Sequence, residues 1–429
     1  SEGGPRAVLE AAAAGCGIAS TPVGIAPDIL HGDCIYHNIV EGAALLGQDM
    51  DSGILAAHTA LHRSTIQKAH TAEALHPLFA ELYAHLPRIP TCPARRADVP
   101  RRKSMTGGIG RYLDAFLHGR IRPRLCVGLW HTFHKPPYGG GNQFMLTLRK
   151  ALLRRGVRIV ENCLSPAVDC HLLNSIHFDA ERFLAFAQRH RLRVLHRIDG
   201  PIHLIRGFDR EKDESCFRLN EQFATATVLQ SAWTMRKIVA MGYNPLSPTL
   251  IHNAVDPDTF HARGRIPFDR KRKIRIISTS WSANVLKGGA TYKWLEDHLD
   301  WDRFEYTHAG NLSQPLERAR HTPPIPSEQL ADLLRQHDLY ITASQNDPCS
   351  NALIEALACG LPALYLNDGG HPELVGYGGL AFTSDAEILP QLDALAANYE
   401  AFQSLISVPT IDDVADKYLR IIKDCTERS

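Results

Sequence analysis

The chain has 429 residues, more than one ordinary domain holds, and 44% apolar with 22% charged residues is the composition of a globular protein of two or three domains. Its 47 Lys+Arg and 46 Asp+Glu nearly cancel, so charge singles out neither nucleic acid nor a membrane as partner. There is no apolar run of about 18 residues to span a bilayer, and ten cysteines without CxxC spacing read as the reduced thiols of a cytosolic protein.

The first element is a repeat. "SEGGPRAVLEAAAAGCG" carries Glu2 and Glu10, an acid, seven residues and a second acid, ahead of an alanine-rich helix. "NDPCSNALIEALACGLP" (346–362) repeats this with Asp347 and Glu355, at an offset of 345 residues. The same offset pairs Ala7 with Ala352, Gly15 with Gly360, Gly24 with Gly369, Pro27 with Pro372 and Asp28 with Glu373, without a gap. Such a register implies two copies of one structural unit. Because the first copy opens inside the motif, with neither Met nor a signal-peptide pattern, the expectation is a fragment of a longer chain with tandem modules.

Residues 1–86 read as the end of an α/β domain and residues 87–121, rich in Pro, Gly and Arg, as a linker. Its "RRADVPRRK" is read as a solvated stretch rather than a membrane contact. A complete α/β pattern then begins: the strand "RLCVGLWHTF", the Gly-rich turn "KPPYGGG" and a helix from Asn142 to Arg155 stopped by Gly156. "VDCHLLNS", "LRVLHRID" and "ATATVLQS" supply further strands, which places an N-terminal, acceptor-side domain at 122–262. The histidines of "HTFH" (131–134) lack a third partner at ligand spacing and read as structural. A second series, "IRIISTS", "FEYTHAG", "DLYITAS" and "LPALYL", defines a C-terminal domain at 263–429, with which the closing helix at about 411–425 is counted. The predicted fold class is α/β: two Rossmann-like parallel-sheet domains facing a cleft, preceded by a partial Rossmann-like domain.

The chemistry gathers at strand ends, the ligand edge of such sheets. After "DLYITAS" the loop "QNDPCSN" leads into the helix "ALIEALACG", whose free N–H groups and positive end suit a phosphate. Ser350 or Asn351 serves as its N-cap. Glu355, one turn inside, suits the paired hydroxyls of a ribose, and Asp347 on the loop suits sugar hydroxyls. "SWSANVLKGG" (280–289) sets Lys287 after a strand end, where a diphosphate takes it as a point charge. "NDGGHPEL" (367–374) adds a glycine turn with backbone donors.

"DPCSNALIEALACGLP", "NDGGHPELV", "IHNAVDPDTF", "SWSANVLKGG" and "PPYGGGNQF" together make residues 122–425 resemble a complete GT-B glycosyltransferase, of the large retaining family called group 1 or family 4. Residues 1–86 resemble the second half of the donor-binding domain of another member. The resemblance implies a nucleotide-diphosphate sugar as donor: Glu355 on the ribose, Lys287 with Gly288 on the diphosphate, and Asp347 with Gly369, Gly370 and His371 on the sugar. Asn346, Ser350 and Asn351 would complete the donor site, and Gly139, Gly140 and Gly141 would face the cleft from the other domain. The implied catalytic set is Asp347, Glu355, Lys287 and Asp199. No metal and no cofactor are expected, because cationic side chains and helix dipoles stabilise the leaving diphosphate. The anomeric configuration would be retained, with the leaving phosphate deprotonating the acceptor on the same face. By resemblance the acceptor is a glycan or a lipid-linked saccharide in bacterial surface-polysaccharide synthesis. The setting is the cytoplasm, with peripheral contact at the inner face of the membrane for a lipid-linked acceptor and no nucleic acid partner.

Two positions depart from the family pattern. Ser282 stands where an arginine is common, leaving a cation to be supplied by Arg197, Arg206 or another residue. Asp199 stands where a histidine is frequent, with His196 on a different line of the strand. Three other readings compete. A nicotinamide dehydrogenase lacks its G-x-G-x-x-G spacing in "YGGGNQF". A GT-B nucleotide-sugar epimerase would need no acceptor. A catalytically weakened sugar-nucleotide-binding module is motivated by Ser282 and Asp199, and acceptor-dependent nucleotide release separates it from a transferase.

Overall fold

The computed structural model describes residues 6–14, 16–21, 26, 30–69, 125–135, 138–165 and 167–427. Glu2, Gly24, the Glu10 side chain and the 87–121 linker lie outside the described residues. The chain forms two compact units, Ser1–Asp114 and Ala115–Ser429.

In the first unit the helices Arg6–Ala14, Ile39–Ser52, Ile54–Ala57 and Thr59–Ala69 surround a small core of Ala12, Ile18, Ala26, Leu30, Cys34 and Leu55. Ser20 and Ile35 make an isolated parallel bridge. The helix Arg6–Ala14, moved along by the repeat offset, starts on Asn351, the first residue of the helix Asn351–Ala358.

The second unit holds two six-stranded sheets, parallel throughout. The first orders its strands β2-β1-β3-β4-β5-β6, namely β1 Cys126–Trp130, β2 Arg158–Glu161, β3 Cys170–Asn174, β4 Val194–Ile198, β5 Ala226–Leu229 and β6 Pro248–Leu250. The second runs β12-β11-β10-β7-β8-β9, from β7 Ile274–Ser280, β8 Phe304–Gly310, β9 Arg320–Thr322, β10 Leu339–Thr342, β11 Ala363–Leu366 and β12 Gly379–Phe382. Strands β1, β3, β4, β5 and β10 are buried along all or nearly all their length, as continuous apolar runs covered on both faces require. This is the GT-B arrangement expected from the sequence. The short strands β6, β9 and β12 were not anticipated; β6 and β9 are edge strands of mostly exposed residues with no apolar pattern to read, and β12 is an edge strand of four residues.

Two boundaries differ from the sequence reading. The helix expected from Asn142 starts at Gly140, so two of the three cleft glycines lie in its first turn. The closing helix Ile411–Glu427 leaves the second domain and completes the core of the first. Its Ile411, Val414, Tyr418 and Ile422 pack with Val127, Leu129, Phe144 and Leu148. An amphipathic pattern announces an apolar face but not which sheet receives it. Among the described residues no helix is long and apolar enough to cross a membrane.

Candidate active site

The C-terminal edges of the two sheets face each other across a cleft. Its main cavity, about 620 Å³, is lined from one side by residues following β1, β4 and β5 and from the other by residues following β7 and β10. Lys287, Asp347, Ser350, Asn351, Gly139, Gly140, Gly141 and Asp199 all line it. Glu355 lines a smaller adjoining cavity of about 120 Å³ with Thr279, Ala309, Ile325 and Leu330. Tyr138, Gly139, Trp281 and Asn351 border both.

The loop after β7 positions Lys287. Ser280 Oγ donates to the Ser282 carbonyl at 2.7 Å, Ser282 Oγ accepts the Asn284 amide at 3.1 Å, and Asn284 caps the Leu286 amide at 2.9 Å. Gly288, at φ +87, lies against Ala343, where a Cβ would come within 2.6 Å of the alanine's own. Only glycine meets both demands. The loop after β10 is tied to the same place, Gln345 N donating to Leu286 O at 2.7 Å. The outcome is an ion pair of Lys287 Nζ with Asp347 Oδ2 at 2.8 Å, with Ser344 Oγ at 3.2 Å. An ammonium has three N–H donors, so one is left for a ligand. Burial alone would raise the Asp347 carboxyl, but Lys287 and His371 outweigh it and hold it below its ordinary value. Ser350 caps the helix Asn351–Ala358 by accepting the Leu353 amide, leaving the first amides of the helix toward the cavity wall. Burial pushes the Glu355 carboxyl up to about 8.

The glycine turn works from beneath. Gly370 N donates to Asp347 O at 2.8 Å, and Gly369, at φ +65, approaches that carbonyl so closely that a Cβ would lie 2.2 Å away. His371 is fully buried, with Nδ1 3.1 Å from Leu366 O. Asn346, at φ +52, donates its amide to Asp368 at 2.7 Å. Gly288, Asn346, Gly369, Gly370 and His371 shape the loops carrying Lys287 and Asp347; they are not among the residues lining the cavity.

On the facing wall Asp199 follows β4 in a dense network. Its Oδ1 accepts from Arg197 and from Gln230 Nε2, and Oδ2 lies 3.5 Å from His177 Nε2. Burial would raise its carboxyl; Arg197 and His177 hold it well below the usual carboxylate range. Arg197 is fully buried, bonded also to Asn174 and to Asn253 at 2.9 Å. It therefore does not replace the cation missing at Ser282. Arg206 lines the cavity with a side chain 43% exposed and only a 3.5 Å contact to Asp209. His196 is buried away from the cleft, with Nε2 2.8 Å from Ser175 O.

Sequence reasoning missed His177, Gln230 and Trp281 and read His131 as structural, yet all four are on the cavity wall, as is Arg206, which the sequence had offered as a replacement cation. The only signal for them was their position just past strand ends. Among the described residues, His31, Asp33 and His58 of the first unit bring three ligand-type atoms within 4.8 Å. Their two rings stack at 4.1 Å and 9°, and His31 Nδ1 already accepts the Asp33 amide at 3.3 Å. Parallel rings direct their lone pairs side by side rather than onto one ion.

Residues 313–401, which include Asp347, Glu355 and the glycine turn, match the family model described as glycosyl transferases group 1. Solved structures share the GT-B fold. Sucrose-phosphate synthase from Thermosynechococcus elongatus aligns over 71% of this chain and 100% of its own, at 14% identity and a TM-score of 0.57. Anabaena HepE, in complex with UDP and glucose, aligns over 71% and 98% at 12% identity and 0.52. WaaG, a glycosyltransferase involved in lipopolysaccharide biosynthesis, aligns over 69% and 99% at 13% identity and 0.51. No curated protein sequence matches the chain.

Proposed function

We propose that the second unit is a retaining glycosyltransferase. It moves a hexosyl group from a nucleotide-diphosphate sugar to a hydroxyl of a saccharide or lipid-linked acceptor, in surface-polysaccharide synthesis at the cytoplasmic face of the membrane. The observation that carries this is the convergence of Lys287, Asp347 and the start of the helix Asn351–Ala358 on one cavity, with Glu355 in the adjoining one. Glu355 takes the ribose hydroxyls. The free donor of Lys287, the helix N-terminus and Arg206 take the diphosphate, and Asp347 takes hydroxyls of the sugar. Charge developing on the leaving diphosphate then meets fixed donors, with no metal in the scheme. The acceptor oxygen bonds to the anomeric carbon as the carbon–phosphate-oxygen bond breaks, and the acceptor's proton passes to the departing phosphate.

HepE was solved with UDP and UDP-glucose, which makes UDP the first nucleotide to try. A thermal-shift titration with UDP, GDP, ADP and dTDP, run beside Glu355→Ala, tests the assignment. A nucleotide at about 100 times its Kd stabilises by about 2.7 kcal/mol, or a shift of several degrees. One nucleotide should shift the wild type and not the variant; no shift with any of the four sinks the donor site. A weakened binding module has Asp199 in its favour, because that carboxylate is locked to buried Arg197. Release of nucleotide only when acceptor is added decides for the transferase. Residues 1–86 are assigned no activity, since among the described residues of that segment there is neither an equivalent of Lys287 nor a sheet.

A further inference from the structure

His131 follows β1 and is pinned by its backbone. Its amide donates to Asn162 Oδ1 at 3.2 Å, and its carbonyl accepts from Asn162 Nδ2 at 2.9 Å. Its side chain is 5% exposed and lines the main cavity. The tautomer of the ring follows from its neighbours. Arg197 can only donate, so the Asn174 oxygen that it meets must accept. That fixes the Asn174 carboxamide with its NH₂ toward His131, where Nδ2 lies 3.0 Å from Nδ1. Nδ1 therefore accepts and the proton sits on Nε2. Nε2 is buried and, among the described residues, meets no group at hydrogen-bond geometry. The neighbouring Asn142 carboxamide is taken up by the His134 backbone, its oxygen accepting the amide at 2.9 Å and its NH₂ donating to the carbonyl at 3.0 Å.

A buried donor left unmatched at a cavity wall lowers stability unless something occupies that wall. On the reading above, the cavity holds sugars. We propose that His131 Nε2–H donates a hydrogen bond to a sugar hydroxyl bound in the cleft, making His131 a recognition residue and not a base. Three facts set the role. Nδ1 is committed to Asn174, and Nε2 already carries its proton. Burial, with His177 adding to it and Asp199 opposing, pushes the ring down to about 4, so it is neutral at physiological pH. A neutral ring that already carries its proton on Nε2 gives a hydrogen bond there and takes no proton.

The hydroxyl belongs either to the donor's sugar or to the acceptor, and calorimetry on the full chain separates them. The probes are UDP, UDP-glucose, and free glucose added to the UDP-saturated protein; GDP, GDP-mannose and mannose replace them if GDP is the nucleotide selected. His131→Phe keeps the ring volume and removes the donor, whereas His131→Gln keeps both an acceptor for Asn174 and a donor. UDP should bind wild type and both variants alike. The gain in affinity from UDP to UDP-glucose should fall about tenfold in His131→Phe and return to within about threefold in His131→Gln. A loss confined to free glucose instead assigns the acceptor's hydroxyl. If His131→Phe does not fold, the wild type still answers by imidazole ¹⁵N NMR, where the Nε2–H signal of His131 should shift with UDP-glucose and stay with UDP. Unchanged sugar affinity in both arms, or an Nδ1–H tautomer, overturns the proposal. Failure of the wild type to bind any nucleotide sugar would instead sink the glycosyltransferase reading on which it rests.

Discussion

Glu355 is where one residue controls a measurable property of the protein. Its carboxyl titrates at about 8 because burial disfavours the anion, against an ordinary value of 4.5. Between those two values the folded chain holds a proton that the unfolded chain releases. The stability contributed by this group is therefore complete below about pH 4.5 and is lost as pH rises through 8, by about 1.4 kcal/mol per unit. Glu355→Gln should flatten that slope, so its denaturation midpoint exceeds the wild type's at pH 9 and matches it at pH 4; parallel curves would refute the assignment. Lys287 acts in the opposite sense, because its ion pair offsets the burial of Asp347. Lys287→Ala should cost about 2 kcal/mol at neutral pH by stranding that carboxylate. Most of the loss should return in the double variant Lys287→Ala with Asp347→Asn, as urea denaturation would show. A double variant no more stable than Lys287→Ala would mean that the lysine's contribution is packing rather than charge.

At the level of elements, the closing helix Ile411–Glu427 shows what the sequence can and cannot convey. Its apolar face is legible, but its docking on the first sheet is not, since its contacts with β3, β4 and the helix Gly140–Arg154 span more than 200 residues of chain. Ile422→Ala, at a position with no exposure, should cost about 2–4 kcal/mol. Hydrogen exchange should locate the loss in β1, β3 and β4 of the first domain, although residue 422 was counted with the second. Faster exchange confined to β7 and β10 would contradict the packing described. The same limit governs the site. Lys287, Asp347 and Glu355 were readable because a loop and a helix start follow a strand in sequence. His131, His177 and Asp199 come together only through the order β1-β3-β4, which no local pattern encodes. The three glycines after Tyr138 were readable as a cleft-facing turn, yet Gly140 and Gly141 proved to open a helix because nothing in their sequence marks its first residue.

On the scale of the second unit, the two domains are joined across the cleft by a carboxylate. Glu373 follows the glycine turn in the second domain, and its oxygens accept the Ala232 and Trp233 amides of the first, at 2.8 and 2.9 Å. His252 Nε2 adds a third contact at 3.3 Å. The two amides open the helix Ala232–Ala240, so an acid on one domain caps a helix on the other. Burial would raise this carboxyl, but His252 and the two amides lower it, so the clasp holds above its ordinary titration range and loosens only in acid. The proposed donor site needs both walls, which makes the closed arrangement the one that binds. An apparent dissociation constant equals the intrinsic one divided by the closed fraction. If Glu373→Ala lowers that fraction from near one to about a tenth, nucleotide-sugar affinity falls about tenfold. The radius of gyration in solution should rise without ligand and recover on saturation. His252→Ala keeps both amide contacts and should do much less. An affinity within twofold of wild type, with no change in radius, would show that closure is held by the remaining cross-cleft contacts, of which Asn253 to Asn351 at 2.8 Å is the next to test.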